Sequence, residues 1–192
     1  MERAGYRANG PDRCYHCKTE LFEVLGRMRE TLGFDAVAYG VNTDDTGDFR
    51  PGHRAAAEHG VLSPFLDVGL SKQEIRTLSR EAGLPTADLP ASACLASRLP
   101  YGTKVTAERL KQVEDAEARL RELGFRQLRV RHHGAMARVE IAPEELQKAL
   151  DPEAAKRIVA ALKPLGFRYV ALDLEGYRTG ALNEVLTGPS RG

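Results

Sequence analysis

The sequence predicts an α/β unit with a parallel sheet over residues 1–100, followed by a smaller α+β unit over residues 101–192. In the first unit, helical patterns alternate with short apolar runs, which is typical of a parallel sheet covered by helices. The second unit carries a helix, a hairpin, a further helical region and a final strand, an order typical of α+β domains. Prolines at positions 85, 90 and 100 lie between the two patterns. We therefore expect a restricted loop or a linker in this segment.

The elements of the first unit follow from apolar periodicity and capping signals. Apolar residues at helical spacing predict a helix that begins near Asp12 and ends at Gly33. The mostly apolar run 34–40 predicts a buried parallel strand. Ser71 and Glu74 carry a capping-box signature at the start of a later helix. The remaining predicted elements are a short helix over 54–59, an extended stretch over 61–68 and a helix over 72–82.

The elements of the second unit are predicted by the same signals. Thr106 is a good N-cap for a helix that reaches Leu123. Alternation of polar and apolar residues predicts half-buried strands that pair as a hairpin across Gly134. These strands lie at 127–131 and 136–141; an interrupted helical region follows over 143–165, and a last strand over 167–174.

Composition excludes several classes of protein. The 192 residues contain 28 Lys and Arg against 27 Asp and Glu, a formal net charge of +1. This balance excludes a strongly basic nucleic-acid tail and an acidic tail, and it favours a small-molecule enzyme. No apolar run approaches the roughly 20 residues that span a bilayer, and the first residues show no secretory signal. We expect a cytoplasmic protein.

Three cysteines are candidate metal ligands. Cys14 and Cys17 form a CxxC motif, and Cys94 lies far along the chain. A structural zinc site usually takes four protein ligands, and no second CxxC is present. Three thiolates fit a [4Fe–4S] cluster in which one iron lacks a protein ligand. Zinc with a histidine, and two incidental thiols, are the alternatives.

Seven segments occur in an order that is typical of one enzyme family: 12–18, 48–52, 71–76, 93–102, 129–134, 166–170 and 173–180. Together they resemble the LarE family of ATP-dependent sulfur transferases. That family belongs to the PP-loop ATP pyrophosphatase (adenine nucleotide alpha hydrolase-like) superfamily and serves nickel-pincer nucleotide biosynthesis. The resemblance covers essentially the whole chain, and its Cys94 loop and Arg-Val-Arg strand are the more specific parts.

The resemblance implies a reaction and a sulfur source. ATP adenylates a carboxylate of a pyridinium dicarboxylate mononucleotide and pyrophosphate leaves; sulfur then replaces AMP, giving a thiocarboxylate. In family members with three cysteines a [4Fe–4S] cluster carries the transferred sulfide, which would make Cys14, Cys17 and Cys94 cluster ligands. In the alternative, Cys94 gives up its own sulfur and becomes dehydroalanine. Ser97 and Arg98 are expected to line the sulfur-transfer pocket.

Other site residues follow by position. Arg129 and Arg131 alternate along one strand, so they share a face and can clamp a phosphate, as the family pair does; a solvated strand face is the alternative. Arg178 is a further substrate candidate. His132 and His133 face opposite ways and are poor joint metal ligands. The expected contacts to ATP and Mg²⁺ are Asp45, Asp48, Arg50 and Lys72.

One departure from the family concerns nucleotide binding. PP-loop enzymes carry a Ser-Gly-Gly-x-Asp-Ser loop whose backbone N–H groups bind pyrophosphate, and this sequence contains none. We therefore expect an incomplete PP-loop domain, truncated at its N-terminus, and no ATP–pyrophosphate exchange by these 192 residues alone. The other hypotheses are a tRNA-thiolating PP-loop enzyme, which the charge supports poorly, and an inactive module that binds a metal or a cluster. The resemblance also implies partners from nickel-pincer biosynthesis and a homo-oligomer.

Overall fold

The computed structural model describes residues 3–46, 51–89 and 93–178. The chain divides into two compact units. We call the one formed by Glu2–Tyr6 and Asp12–Ser92 the helical unit. The other, formed by Arg7–Pro11 and Ala93–Gly192 together with Met1, is the sheet unit. Helices and strands are mixed, in agreement with the predicted α/β character. No described helix combines the length and the apolarity needed to cross a bilayer.

The helical unit packs around a small apolar core. Its helices are α2 (Arg13–Leu32), α3 (Gly52–Glu58), α4 (Pro64–Asp67) and α5 (Lys72–Glu81), and a short α1 (Ala4–Ala8) precedes them. Phe22 of α2 packs with Ala55 and Ala56 of α3 and with Val61. The predicted helix ending at Gly33 is confirmed, since Gly33 has a φ of 72° and its N–H bonds Arg29 O.

The capping box predicted for α5 is also present. The Glu74 N–H donates to Ser71 Oγ at 3.3 Å, and the Ser71 N–H donates to the Glu74 carboxylate at 2.8 Å. These bonds satisfy donors that a helix start leaves without intrahelical partners.

The β structure of this unit differs from the prediction. In place of a strand over 34–40, the described residues form a single parallel bridge between Ala38 and Leu62. Two backbone bonds make it: Tyr39 N–H to Leu62 O at 3.0 Å, and Leu62 N–H to Val37 O at 2.9 Å. The extended prediction for 61–68 is wrong beyond the bridge, because Pro64 takes the first position of α4, where its fixed φ suits a helix.

The sheet unit has the predicted hairpin and final strand. Its elements are α6 (Ala107–Glu122), β1 (Leu128–His133), β2 (Met136–Ile141), α7 (Pro143–Leu150), α8 (Pro152–Leu162) and β3 (Tyr169–Leu172). The order is β1-β2-β3, with β1 antiparallel and β3 parallel to β2. Thr106 caps α6 as predicted, by accepting from the Arg109 N–H. Asp151 caps α8 and accounts for the interruption after α7.

The two faces of this sheet differ in chemistry. Because side chains alternate along a strand, Val130, Val139 and Ile141 lie on one face and are fully buried against α6 and α8, with Leu120 and Leu162. The opposite face carries the intervening residues of β1 and β2. Directly opposed pairs on it are Arg129 with Glu140 and Arg131 with Arg138. This arginine-rich face is the starting point for the site.

His132 lies on the apolar face and makes stability depend on pH. Its Nε2 bonds Gln112 Oε1 at 2.9 Å, and its Nδ1 accepts from the Gly134 N–H at 3.3 Å. Burial lowers the pKa of His132 below its ordinary 6.5. The unfolded chain therefore binds more protons just below pH 6.5, so the folded state loses stability as the pH falls from there toward the folded pKa.

We expect the free energy of unfolding, measured with urea across this range, to fall less steeply in His132→Gln than in the wild type. Between about pH 7.5 and 9, where neither state titrates at histidine, the two curves should run parallel. Identical slopes below pH 6.5 would contradict the assignment.

Candidate functional site

The Cys94 loop presents an exposed thiol on a tightly bonded backbone. Cys94 precedes a 3-10 helix, Leu95–Arg98, and its side chain is exposed. Its carbonyl oxygen accepts from Ser97 N at 3.0 Å, Ser97 Oγ at 2.7 Å and Arg98 Nη1 at 3.2 Å. The loop is thus ordered by its own hydrogen bonds while the sulfur remains accessible.

A first buried ion pair anchors this loop to α6. Arg98 Nε and Nη2 donate to the two carboxylate oxygens of Glu117 at 2.8 and 3.2 Å. The two side chains are only 7% and 2% exposed. Arg98 Nη1 also reaches Ala93 O at 2.9 Å. The guanidinium that we expected to line a pocket therefore ties Glu117 to the backbone around Cys94.

A second buried ion pair anchors the same loop to the sheet. Arg131 Nε and Nη2 donate to the Glu140 carboxylate at 2.8 Å each, and Nη1 donates to Ser97 O at 2.8 Å. These side chains are 3% and 1% exposed. Arg138 Nη2 donates to the same carboxylate at 3.0 Å. Three of the five N–H groups of Arg131 are engaged in this way.

Asn9 holds the chain that leaves the Cys94 loop. Its fully buried side chain donates from Nδ2 to Leu99 O at 3.3 Å, Pro100 O at 2.7 Å and Thr103 O at 2.9 Å. The Gly102 N–H donates back to Asn9 O at 3.0 Å. Asn9 has a φ of 58°, a left-handed conformation that asparagine tolerates better than most residues. No local pattern in the sequence identified Asn9 as a residue that supports the Cys94 loop.

Arg129 is the half-buried cation of the arginine-rich face. Its Nη2 donates to the Tyr177 hydroxyl at 3.0 Å, and its Cζ lies 4.7 Å from the centre of the tyrosine ring. Burial lowers the pKa of Arg129, and the nearby charges of Arg98 and Arg131 lower it further. Among the described residues no carboxylate forms an ion pair with it. Such an environment favours an anionic ligand.

The remaining predicted residues have other contacts. Arg178 forms an ion pair with Glu175 at 2.7 Å. The Asp45 carboxylate accepts from the Asn42 N–H at 3.3 Å and caps a short 3-10 turn. Lys72 is exposed at the start of α5, where its backbone N–H bonds the Asp44 carboxylate at 2.9 Å. Asp48 and Arg50 lie outside the described residues.

The three cysteines fall in different units. Cys14 and Cys17 lie in the first turns of α2, three residues apart and therefore on one side of the helix, and both are exposed. They belong to the helical unit, whereas Cys94 belongs to the sheet unit. Within the described part of either unit, no three His, Cys, Asp or Glu side chains group as a metal site.

Relatives among known proteins cover nearly the whole chain. No protein-family model matches the sequence. It is 46% identical over 97% of its length to the uncharacterised protein slr1717 of Synechocystis, of which it covers 70%. The chain belongs to the same family as slr1717.

Two further relatives bear on what that family is. The chain is 38% identical, over 93% of its length, to the pyridinium-3,5-bisthiocarboxylic acid mononucleotide synthase of Lactiplantibacillus plantarum. It is 34% identical, over 89% of its length, to protein MJ0830 of Methanocaldococcus jannaschii. The match to the synthase supports the LarE family. The chain spans 64% of the synthase and 66% of MJ0830, just under two thirds of each.

The first buried ion pair, between Arg98 and Glu117, leads to a stability prediction. Glu117→Gln should lower the free energy of unfolding by about 3 kcal/mol, because it leaves the buried guanidinium of Arg98 uncompensated. Hydrogen exchange at the Ser97 amide should also speed up. Glu122→Gln on the same helix breaks an exposed ion pair with Arg119 and should cost less than about 0.5 kcal/mol. Equal losses in the two variants would contradict the anchoring role.

Asn9 generates a second prediction. Asn9→Ala should cost about 2 kcal/mol in urea unfolding, because three backbone carbonyls lose their donor, with a further contribution from alanine at positive φ. Asn9→Gly removes the amide without that strain, so it should be less damaging than Asn9→Ala but still clearly destabilising. The exposed substitution Gln147→Ala should stay within about 0.5 kcal/mol. A wild-type-like Asn9→Gly would rule out the amide contribution.

Proposed function

We propose that this chain takes part in ATP-dependent sulfur transfer to the carboxylate of a pyridinium dicarboxylate mononucleotide, in nickel-pincer cofactor biosynthesis. The observation that carries the proposal is the bond from Arg131 to Ser97 O. Through it the arginine-rich face supports the loop that presents the exposed Cys94 thiol. The relative named as a synthase of a bisthiocarboxylic acid mononucleotide supports the same reaction class.

In this proposal the arginine-rich face binds the substrate phosphate. Arg129 is the principal contact, because its charge has no carboxylate partner among the described residues. Arg131 contributes the N–H groups that Glu140 and Ser97 leave over. Arg178 is the third candidate, although it would have to share its charge with Glu175.

The reaction proceeds in two steps. ATP adenylates the substrate carboxylate with release of pyrophosphate, and sulfur then displaces AMP to leave a thiocarboxylate. Asp45, Asp48, Arg50 and Lys72 are the proposed contacts to ATP and Mg²⁺. The Lys72 side chain is exposed and can therefore reach a phosphate of ATP. The Asp45 carboxylate would have to bind Mg²⁺ while it also accepts the capping bond from the Asn42 N–H.

Cys14, Cys17 and Cys94 are the proposed ligands of a [4Fe–4S] cluster. The thiols fit the group in chemistry, since all three are exposed and none forms a disulfide. A cluster held by these three thiolates would supply exchangeable sulfide, which would spare the cysteine side chains. The alternative is that Cys94 itself donates the sulfur. We also propose that the chain acts with other proteins of nickel-pincer biosynthesis and that it forms a homo-oligomer.

The sulfur source is tested by anaerobic purification with iron, sulfide and zinc analysis. We expect iron and acid-labile sulfide in the wild type and much less of both in Cys94→Ala and in Cys14→Ala/Cys17→Ala. Gln147→Ala, an exposed substitution that leaves all three thiols and the Cys94 loop in place, is the control and should retain the iron. Zinc without iron would remove the cluster hypothesis.

The same variants separate the two roles of Cys94 in a sulfur-transfer assay that starts from the preformed adenylate of the substrate, because no ATP–pyrophosphate exchange is expected from these 192 residues alone. If Cys94 is sacrificial, Cys14→Ala/Cys17→Ala keeps a single turnover and mass spectrometry finds dehydroalanine at position 94. If the cluster carries the sulfide, that double variant is inactive. Sulfur transfer retained by Cys94→Ala would exclude both roles.

A further inference from the structure

We propose that the Tyr177 hydroxyl is a second anion-binding group beside Arg129, and that it donates a hydrogen bond to the same phosphate. The inference rests on the proposed function, since it deepens the description of the substrate-phosphate site. The strand pattern and the family resemblance point to Arg129, Arg131 and Arg178 at that site, but not to Tyr177.

The first observation is the direction of the bond between the two side chains. Arginine has no acceptor, so Nη2 of Arg129 donates and the Tyr177 oxygen accepts, at 3.0 Å. This leaves the hydroxyl proton of Tyr177 available, and no described residue accepts it. A hydroxyl that accepts a bond from a cation becomes a stronger donor itself, since linked hydrogen bonds polarise one another. The guanidinium of Arg129 and the hydroxyl of Tyr177 therefore offer two adjacent hydrogen-bond donors to one ligand.

The second observation is that the backbone fixes Tyr177 in place. The Tyr177 N–H donates to Ile141 O, at the end of β2, at 2.9 Å. Gly176 has a φ of 70°, and a Cβ at this position would lie 2.7 Å from the same carbonyl oxygen. Glycine thus permits the close approach of this turn to β2. The ring is held against the guanidinium before any ligand arrives, which lowers the ordering cost of binding.

The third observation is the local balance of charge. Arg98 and Arg131 are neutralised by Glu117 and Glu140 through two-point ion pairs. Arg129 has a neutral phenol as its hydrogen-bond partner instead of a carboxylate. A half-buried cation without a carboxylate ion-pair partner among the described residues, beside a hydroxyl donor, suits a phosphate monoester, whose several oxygens can accept from both groups.

The experiment measures binding of inorganic phosphate to the 192-residue chain by calorimetry at constant ionic strength. We expect Tyr177→Phe, which keeps the ring and removes the donor, to weaken phosphate binding about tenfold. Tyr177→Leu should weaken it further, because Arg129 also loses its stacking partner. Arg129→Ala should weaken it at least as much. The matched control is Tyr169→Phe, which removes a hydroxyl from an exposed tyrosine of β3 and should leave binding unchanged.

Three results would overturn the inference. Phosphate could bind to Tyr177→Phe as tightly as to the wild type, which would reduce Tyr177 to a stacking partner. Phosphate binding by the wild type could be independent of Arg129, or the wild type could fail to bind phosphate at all. Sulfur transfer is assayed separately with the preformed adenylate of the substrate, because no ATP–pyrophosphate exchange is expected from these 192 residues alone. Tyr177-dependent phosphate binding without sulfur transfer would refute the proposed function and leave the inference standing, whereas sulfur transfer with phosphate binding indifferent to Tyr177 would do the reverse.

Discussion

The site depends on the ion pair between Arg131 and Glu140. Removing two such charges from water costs several kcal/mol for each ion, so the arrangement is stable only when the geometry between the partners is good. Here both carboxylate oxygens are bonded at 2.8 Å, and the third donor of Arg131 is bonded to Ser97 O. The ion pair between Arg98 and Glu117 has the same two-point geometry. Each guanidinium thereby joins a carboxylate of the scaffold to the backbone near Cys94.

This arrangement separates rigidity from reactivity. The backbone around Cys94 is held by charged anchors, whereas its sulfur stays exposed to solvent. A sulfur that must be delivered, whether from the side chain or from a bound group, benefits from a fixed position, because misplacement of reacting atoms is costly in rate. The same anchors neutralise Arg98 and Arg131, whereas Arg129 has no carboxylate ion-pair partner among the described residues. Arginines that look alike in the sequence therefore have different partners in the structure.

The sequence was most informative about the site where a pattern is local. The CxxC spacing, the Cys94 loop and the alternating Arg129 and Arg131 were visible because each lies within a few residues. Glu117, Glu140 and Tyr177 were not, since their arginine partners on other elements lie 19, 9 and 48 residues away and each looks like an ordinary helix, strand or loop residue. Asn9 was missed for the same reason, because its partners lie about ninety residues away. No local signal distinguishes a buried partner from a solvated side chain.

The sequence by itself determined the helices and the hairpin of the sheet unit. Capping residues, glycine stops and apolar periodicity act over one or two turns, so Ser71, Thr106 and Gly33 could be interpreted without a fold. Tertiary structure decided how far the run 34–40 pairs, because a parallel bridge needs a partner segment that the run itself does not contain. It also decided which arginines form ion pairs with a buried carboxylate. Charge compensation depends on distances of about 3 Å between elements, and those distances exist only after the chain has packed.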